Sequence, residues 1–167
     1  PLRAGMTPPA LVAEIATRLR ARGERLATAE SCTGGLIAAT CTDLAGSSDW
    51  FERGVVTYSN EAKQELLGVP KALIDAHGAV SAEVAEAMAT GLLTHAPVEW
   101  AIAVTGVAGP GGGSAEKPVG TVWLALAGRS GVLRVWCERF EGDRARVRWQ
   151  TVTSGLGALK WQLGQAS

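Results

Sequence analysis

The chain has 167 residues, with 16 Lys plus Arg balanced by 16 Asp plus Glu. That length suits one domain with a real core and is short for two. A neutral balance speaks against a nucleic-acid binder, which shows a basic excess. No apolar run approaches the roughly 18 residues a membrane span needs, and the opening PLRAGMTPPA has no charged-then-apolar leader pattern. Cys32, Cys41 and Cys137 are odd in number and lack CxxC spacing, so they read as reduced thiols of a cytoplasmic protein, not as a disulfide framework or zinc site. His77 and His95 are too few for most metal centres and fall near expected helix ends.

Residues 1–7 read as a disordered lead-in, with Met6 as a candidate start, and residues 8–167 as the folded domain. From residue 8 to 22, Leu11, Ile15 and Leu19 recur every fourth position and form one helical face, and Gly23 stops the helix. Arg25–Glu30 reads as a short strand, and Gly34 to Leu44 as a helix. Trp50–Thr57, around Val55-Val56, reads as a strand. Two short helices follow, Asn60–Leu67 before Gly68 and Pro70, and Lys71–His77 before Gly78. Ser81 is an N-cap for a helix running to His95, with Val84, Met88 and Leu92 four apart.

Trp100–Val104 suits a buried strand, and residues 106–118 a Gly/Pro-rich loop. Val119–Ala127 and Val132–Phe140 read as a hairpin around Gly128-Arg129-Ser130-Gly131. Asp143 caps a last helix whose apolar stripe is Trp149, Val152, Leu156, Leu159 and Leu163. Strands interleaved with helices and a late hairpin predict an α/β fold: one three-layer domain, a mixed β-sheet covered by helices on both faces.

Four segments carry candidate chemistry. In Thr28–Gly35 (TAESCTGG), Ser31 falls between a strand and a helix N-terminus, whose free N–H groups and positive dipole end suit an oxyanion. The segment is not a GxSxG elbow, so Ser31 or Thr33 is either a nucleophile's turn or a plain helix cap. A serine needs a base. Tyr58-Ser59-Asn60-Glu61-Ala62-Lys63 offers Lys63, as serine–lysine pairs replace the Ser-His-Asp arrangement in some hydrolases. To act near pH 7, its pKa must fall from about 10.4 by roughly 3 pH units, costing about 4 kcal/mol. Burial or a nearby cation lowers it. Glu61 and Glu65 are two residues away and do not share its helix face. The bland alternative is a solvated lysine.

The Gly-rich stretch Thr105–Ser114 is either an anion-binding loop or a connector, and no P-loop motif occurs. Arg144 and Arg148, four apart in GDRARVR, share a helix face and form either a phosphate grip or a solvated basic face.

Taken together, TAESCTGG (28–35), GVVTYSNEAKQELLGV (54–69), GAVSAEVAEAMA (78–89), AVTGVAGPGGGSAEKPVGTV (103–122) and GDRARVR (142–148) resemble the CinA C-terminal-domain family, the nicotinamide-nucleotide amidohydrolases. The likeness runs from about residue 8 to 163, in order. It implies hydrolysis of the carboxamide of nicotinamide mononucleotide to nicotinate mononucleotide and ammonia, in pyridine-nucleotide recycling. The family's catalytic serine, tyrosine and lysine fall on Ser31, Tyr58 and Lys63.

The mechanism then expected has Lys63 as base, N–H groups around Thr33, Gly34 and Gly35 as oxyanion donors, and Tyr58 orienting Lys63 or relaying a proton. Arg144 and Arg148 are expected at the 5′-phosphate and Thr105 and Gly106 along the nucleotide. Glu30 is expected either at a ribose hydroxyl or holding the turn. The resemblance implies no metal, no cofactor and a homo-oligomer. Its loop differs from many relatives in having Gly at 111. A second expectation, from another class, is a non-catalytic recruitment module in competence or DNA-damage response.

Overall fold

The structure is a computed structural model, described here for residues 5–165. Its elements run α1 (Pro8–Arg22), β1 (Leu26–Glu30), α2 (Leu36–Thr42), a 3-10 turn (Ser47–Asp49), β2 (Phe51–Val56), α3 (Asn60–Leu67), α4 (Lys71–His77), α5 (Ala82–His95), β3 (Trp100–Gly106), β4 (Thr121–Gly128), β5 (Leu133–Arg139) and α6 (Arg144–Leu163). The strand order is β2-β1-β3-β4-β5. β1 pairs parallel with β2 and β3, while β4 is antiparallel to β3 and β5. The mixed α/β sheet expected from the interleaved pattern is therefore present, with its antiparallel part in the late hairpin.

The two faces of the sheet differ in side-chain size. Leu26, Ile102, Val104, Leu124 and Leu126 pack under α1, α2 and α6 with Leu11, Ile15, Leu19, Ile37, Val152, Leu156 and Leu159. On the other face Ala27, Ala29, Ala101, Ala103, Ala125 and Ala127 meet α5 through Val84, Ala85, Met88 and Leu92. A run of alanines lets a helix lie close to the sheet, so each layer fills at interior density. Gly91 of α5 does the same for α3: a Cβ there would lie 2.1 Å from the Leu67 carbonyl oxygen. The α3–α5 contact thus fixes where α3, and Lys63 on it, can sit.

Some expected boundaries shift. The second helix begins at Leu36, because Gly34 (φ 57°) and Gly35 (φ 102°) are left-handed and belong to the turn. β4 begins at Thr121, since Pro118-Val119-Gly120 turns the chain first. Trp149 is a correction to the expected stripe: it is 47% exposed, whereas Val152, Leu156, Leu159 and Leu163 are buried. Trp149 instead lines a shallow groove with Pro8, Pro9, Asp43 and Phe140. The lead-in falls partly outside the described residues. Within it, Thr7 caps α1 by accepting the Ala10 N–H. The last two residues of the 8–167 span also lie outside. His77 and His95 are both exposed, in the last turns of α4 and α5. No helix among the described residues is long and apolar enough to cross a membrane.

Candidate active site

β1 lies between β2 and β3, so the chain leaves it to one side of the sheet and returns on the other. Open α/β sheets bind ligands at such a switch point, beyond the carboxyl ends of the strands. A cavity of about 220 Å3 lies there, lined by Ser31 after β1, Tyr58, Asn60 and Lys63 after β2, and Thr105 and Gly106 at the end of β3. Ala79, Val80, Ala108 and Arg144 complete its wall with Cys32. A larger groove beside Trp149 contains none of the expected site residues.

The Ser31 turn is held from both sides. Glu30, buried, accepts the N–H groups of Ile37 (2.8 Å) and Ala38 (3.0 Å) and the Thr33 hydroxyl. Its carboxylate caps α2, where the positive helix end favours an anion. Of the two roles expected for Glu30, the structure places it in the turn. On the other side Arg148 donates through Nε to the Cys32 carbonyl (3.2 Å) and through a terminal nitrogen to the Thr33 carbonyl (3.0 Å). It does not line the cavity. The Ser31 N–H donates to Val104 of β3, and the Gly34 N–H to the Ser31 carbonyl. Gly34 is therefore already engaged, while Cys32, Thr33 and Gly35 N–H groups make no backbone hydrogen bond.

Lys63 Nζ lies 3.2 Å from Ser31 Oγ. Helix side chains lean toward the N-terminus, and Lys63 accordingly reaches back past the start of α3. There it meets the carbonyls of Thr57 (2.9 Å), Tyr58 (3.3 Å) and Ser59 (3.5 Å). The residue is 1% exposed. Burial pushes its amine below the ordinary lysine value, and Cys32 and Glu61 oppose this more weakly. The positive end of α3 disfavours the charged form further. A neutral amine has two N–H donors for carbonyls and a lone pair for the serine proton.

The Tyr58 carbonyl also lies 3.5 Å from Ser31 Oγ. The phenol points elsewhere: Tyr58 is 61% exposed, and its hydroxyl accepts from Arg144 at 3.3 Å. Arg144 donates again to the Gly109 carbonyl (2.9 Å), so it bridges β2's end to the glycine-rich loop. The Thr105 hydroxyl donates to the Ala79 carbonyl (2.9 Å), drawing the segment before α5 onto the cavity. Burial raises the Cys32 thiol to about 11, so it stays protonated beside Ser31.

Sequence reasoning did not single out Cys32, Asn60, Ala79, Val80 or Ala108 as lining the cavity, nor the carbonyls that surround Lys63. Main-chain carbonyls leave no mark in a sequence. Asn60 is adjacent to the tyrosine–serine pair and was the one detectable signal. The three cysteines are free thiols, and the described residues hold no cluster of His, Cys, Asp and Glu fit for a metal ion.

A buried serine–lysine pair at the switch point of an α/β sheet is the defining feature of this molecule. Residues 9–163 match the CinA C-terminal domain, and the chain belongs to that family. The nicotinamide-nucleotide amidohydrolase PncC of Escherichia coli K12 is 51% identical over 149 residues, covering 89% of this chain and 90% of that protein. The CinA-like protein of Geobacter sulfurreducens is 55% identical over 149 residues, 89% of this chain but 36% of that longer protein. The crystal structure of competence/damage inducible protein CihA from Agrobacterium tumefaciens superposes with TM-score 0.92 at 44% identity, covering 96% of this chain and 99% of that one.

Proposed function

We propose that this chain hydrolyses the carboxamide of nicotinamide mononucleotide to nicotinate mononucleotide and ammonia, with Ser31 as nucleophile and Lys63 as base, in pyridine-nucleotide recycling in the cytoplasm. The observation that carries the reading is the 3.2 Å approach of a buried lysine amine to the serine hydroxyl. A recruitment module without chemistry gives no reason to bury that amine. The names of the PncC relatives supply the substrate.

Neutral Lys63 takes the Ser31 proton as Oγ bonds to the carboxamide carbon. The oxyanion is received by N–H groups of the turn. Arg148 draws the Cys32 and Thr33 carbonyls to one side. In a trans peptide the N–H points opposite its carbonyl, so Thr33 N–H is directed away from Arg148, and Cys32 N–H, next to the nucleophile, is its natural companion. Protonated Lys63 then gives its proton to the departing nitrogen, which leaves as ammonia. Water attacks the acyl ester, Lys63 takes the water's proton, and the proton returns to Ser31 Oγ. No cofactor or metal takes part.

Tyr58 acts through its carbonyl, which orients Lys63, and through its phenol, which holds Arg144 over the cavity mouth. Arg144 takes the 5′-phosphate, with Thr105 and Gly106 along the nucleotide. Arg148 serves the turn, because its guanidinium is already engaged there. Ammonia release over a panel of nicotinamide mononucleotide, nicotinamide riboside, nicotinamide and unrelated amides tests the reading. Turnover that favours the mononucleotide supports it. Release from an unrelated amide alone, or from none, overturns it.

A further inference from the structure

The wall of the Ser31 cavity carries no carboxylate among the described residues. Its ionisable side chains are Lys63, Arg144, Cys32 and Tyr58, and the rest are neutral. The nearest carboxylates are engaged or turned away. Glu30 is taken up by the N–H groups of Ile37 and Ala38, and Glu61 and Glu65 of α3 are exposed. Packed against α3, α5 carries Glu83, Glu86 and His95, and α4 carries Lys71, Asp75 and His77, all exposed and screened by water. Lys63 Nζ is thus left with Ser31 Oγ and three main-chain carbonyls as its hydrogen-bond partners.

Nicotinamide mononucleotide brings a charge of its own. It is an N-ribosyl pyridinium, so the ring that bears its carboxamide is cationic. We infer that this ring charge completes the site: with the carboxamide at Ser31, the pyridinium holds Lys63 neutral, so the site selects N-substituted pyridinium carboxamides over neutral aromatic amides, an inference that rests on the mononucleotide as substrate. A carboxamide carbon about 3 Å from Oγ sets the ring nitrogen roughly 6–8 Å from Nζ, because Oγ itself lies 3.2 Å from Nζ. At an effective dielectric of about 20, a unit positive charge at that distance lowers an amine's pKa by roughly 1.5–2 pH units. No carboxylate on the wall cancels it.

Two steps gain from this. A larger fraction of bound enzyme holds the neutral amine that accepts the Ser31 proton. Once protonated, the amine is a stronger acid toward the departing nitrogen. The coupling is also reciprocal. A protonated Lys63 repels the ring, so affinity for the mononucleotide rises with pH through the Lys63 pKa. A neutral amide of the same shape gains nothing. Nicotinamide, whose ring nitrogen is unsubstituted, is neutral near physiological pH and loses the ring charge along with the phosphate.

The probes are nicotinamide mononucleotide and benzamide riboside 5′-monophosphate, a C-nucleoside of the same shape with a neutral ring. Both carry the phosphate and both exclude water from the cavity, so their difference isolates the ring charge. Lys63 is one of four lysines. Its Cε resonance in isotopically labelled protein, identified by its loss in Lys63→Arg, is titrated in Ser31→Ala with each nucleotide bound. The Lys63 pKa should lie about 1–2 pH units lower with the mononucleotide than with the benzamide. Across the Lys63 titration, affinity of Ser31→Ala for the mononucleotide should rise about tenfold to a hundredfold relative to the benzamide. Should the alanine variant not fold, wild-type kinetics decides: for the mononucleotide the apparent pKa of kcat should lie below that of kcat/KM, and equal values would overturn the inference. Equal Lys63 pKa values in the two complexes would overturn the role of the ring charge and leave the substrate reading standing. A mononucleotide that does not bind would remove both.

Discussion

Lys63 Nζ lies 3.2 Å from Ser31 Oγ, and Lys63 forms no ion pair among the described residues. A lysine set against a carboxylate would stay protonated. Buried with no carboxylate against it, the amine is biased by desolvation toward the neutral form that can accept a proton. kcat/KM should therefore rise with pH through an apparent pKa below the ordinary lysine value. Lys63→Arg should be nearly inactive, since arginine stays protonated. A flat profile with an active arginine variant would remove the general base.

The same burial has a consequence for stability. Lys63 binds its proton less tightly folded than unfolded. Between its folded pKa and about 10.4 the unfolded chain binds more protons, so stability rises with pH in that window. Below the folded pKa the full penalty is present. Lys63→Met removes it, so the variant's stability relative to wild type should be greatest at low pH and shrink as pH climbs toward the unfolded value. Urea unfolding of both proteins across pH measures this difference, and a pH-independent difference would contradict it.

Arg144 and Arg148 should separate in kinetics although they share one helix face. Arg144→Ala should weaken nicotinamide mononucleotide by roughly tenfold to a hundredfold in KM, the loss of one charge-assisted contact, and leave the riboside little changed. Arg148→Ala should lower kcat for both substrates alike, because the carbonyls of Cys32 and Thr33 lose their donor. Steady-state kinetics on the two substrates gives the comparison. An equal KM effect of both variants on the mononucleotide alone would return Arg148 to the phosphate.

Most of the fold was legible because the helices keep strict four-residue spacing. Leu11, Ile15 and Leu19 on α1 and Val84, Met88 and Leu92 on α5 are all buried as the pattern requires. Trp149 failed because periodicity places a residue on a face but cannot say how wide the buried stripe is. Residue type singled out Ser31, Tyr58, Lys63, Thr105, Gly106 and Arg144, which the fold brings to one cavity, but it did not separate the placements of the two arginines. Arg144 and Arg148 look equivalent in sequence, and only the tertiary placement of the Ser31 turn distinguishes them. Glu30 likewise had two readings until the N–H groups of Ile37 and Ala38 were seen to converge on it.

Gly91→Ala tests how α3 is positioned. The added Cβ would sit 2.1 Å from the Leu67 carbonyl oxygen, so α3 and α5 must separate. Overpacking of this kind costs about 1–3 kcal/mol. The urea midpoint should fall, and kcat should fall with it as Lys63 moves from Ser31. Unchanged turnover in a destabilised variant would show that the dyad does not depend on that contact.

The most direct test is ammonia release from nicotinamide mononucleotide by wild type and Ser31→Ala, each verified as folded. Wild type should release one ammonia per nicotinate mononucleotide formed, and Ser31→Ala should be slower by about 1,000-fold or more. Turnover near wild type in the serine variant would contradict nucleophilic catalysis by Ser31.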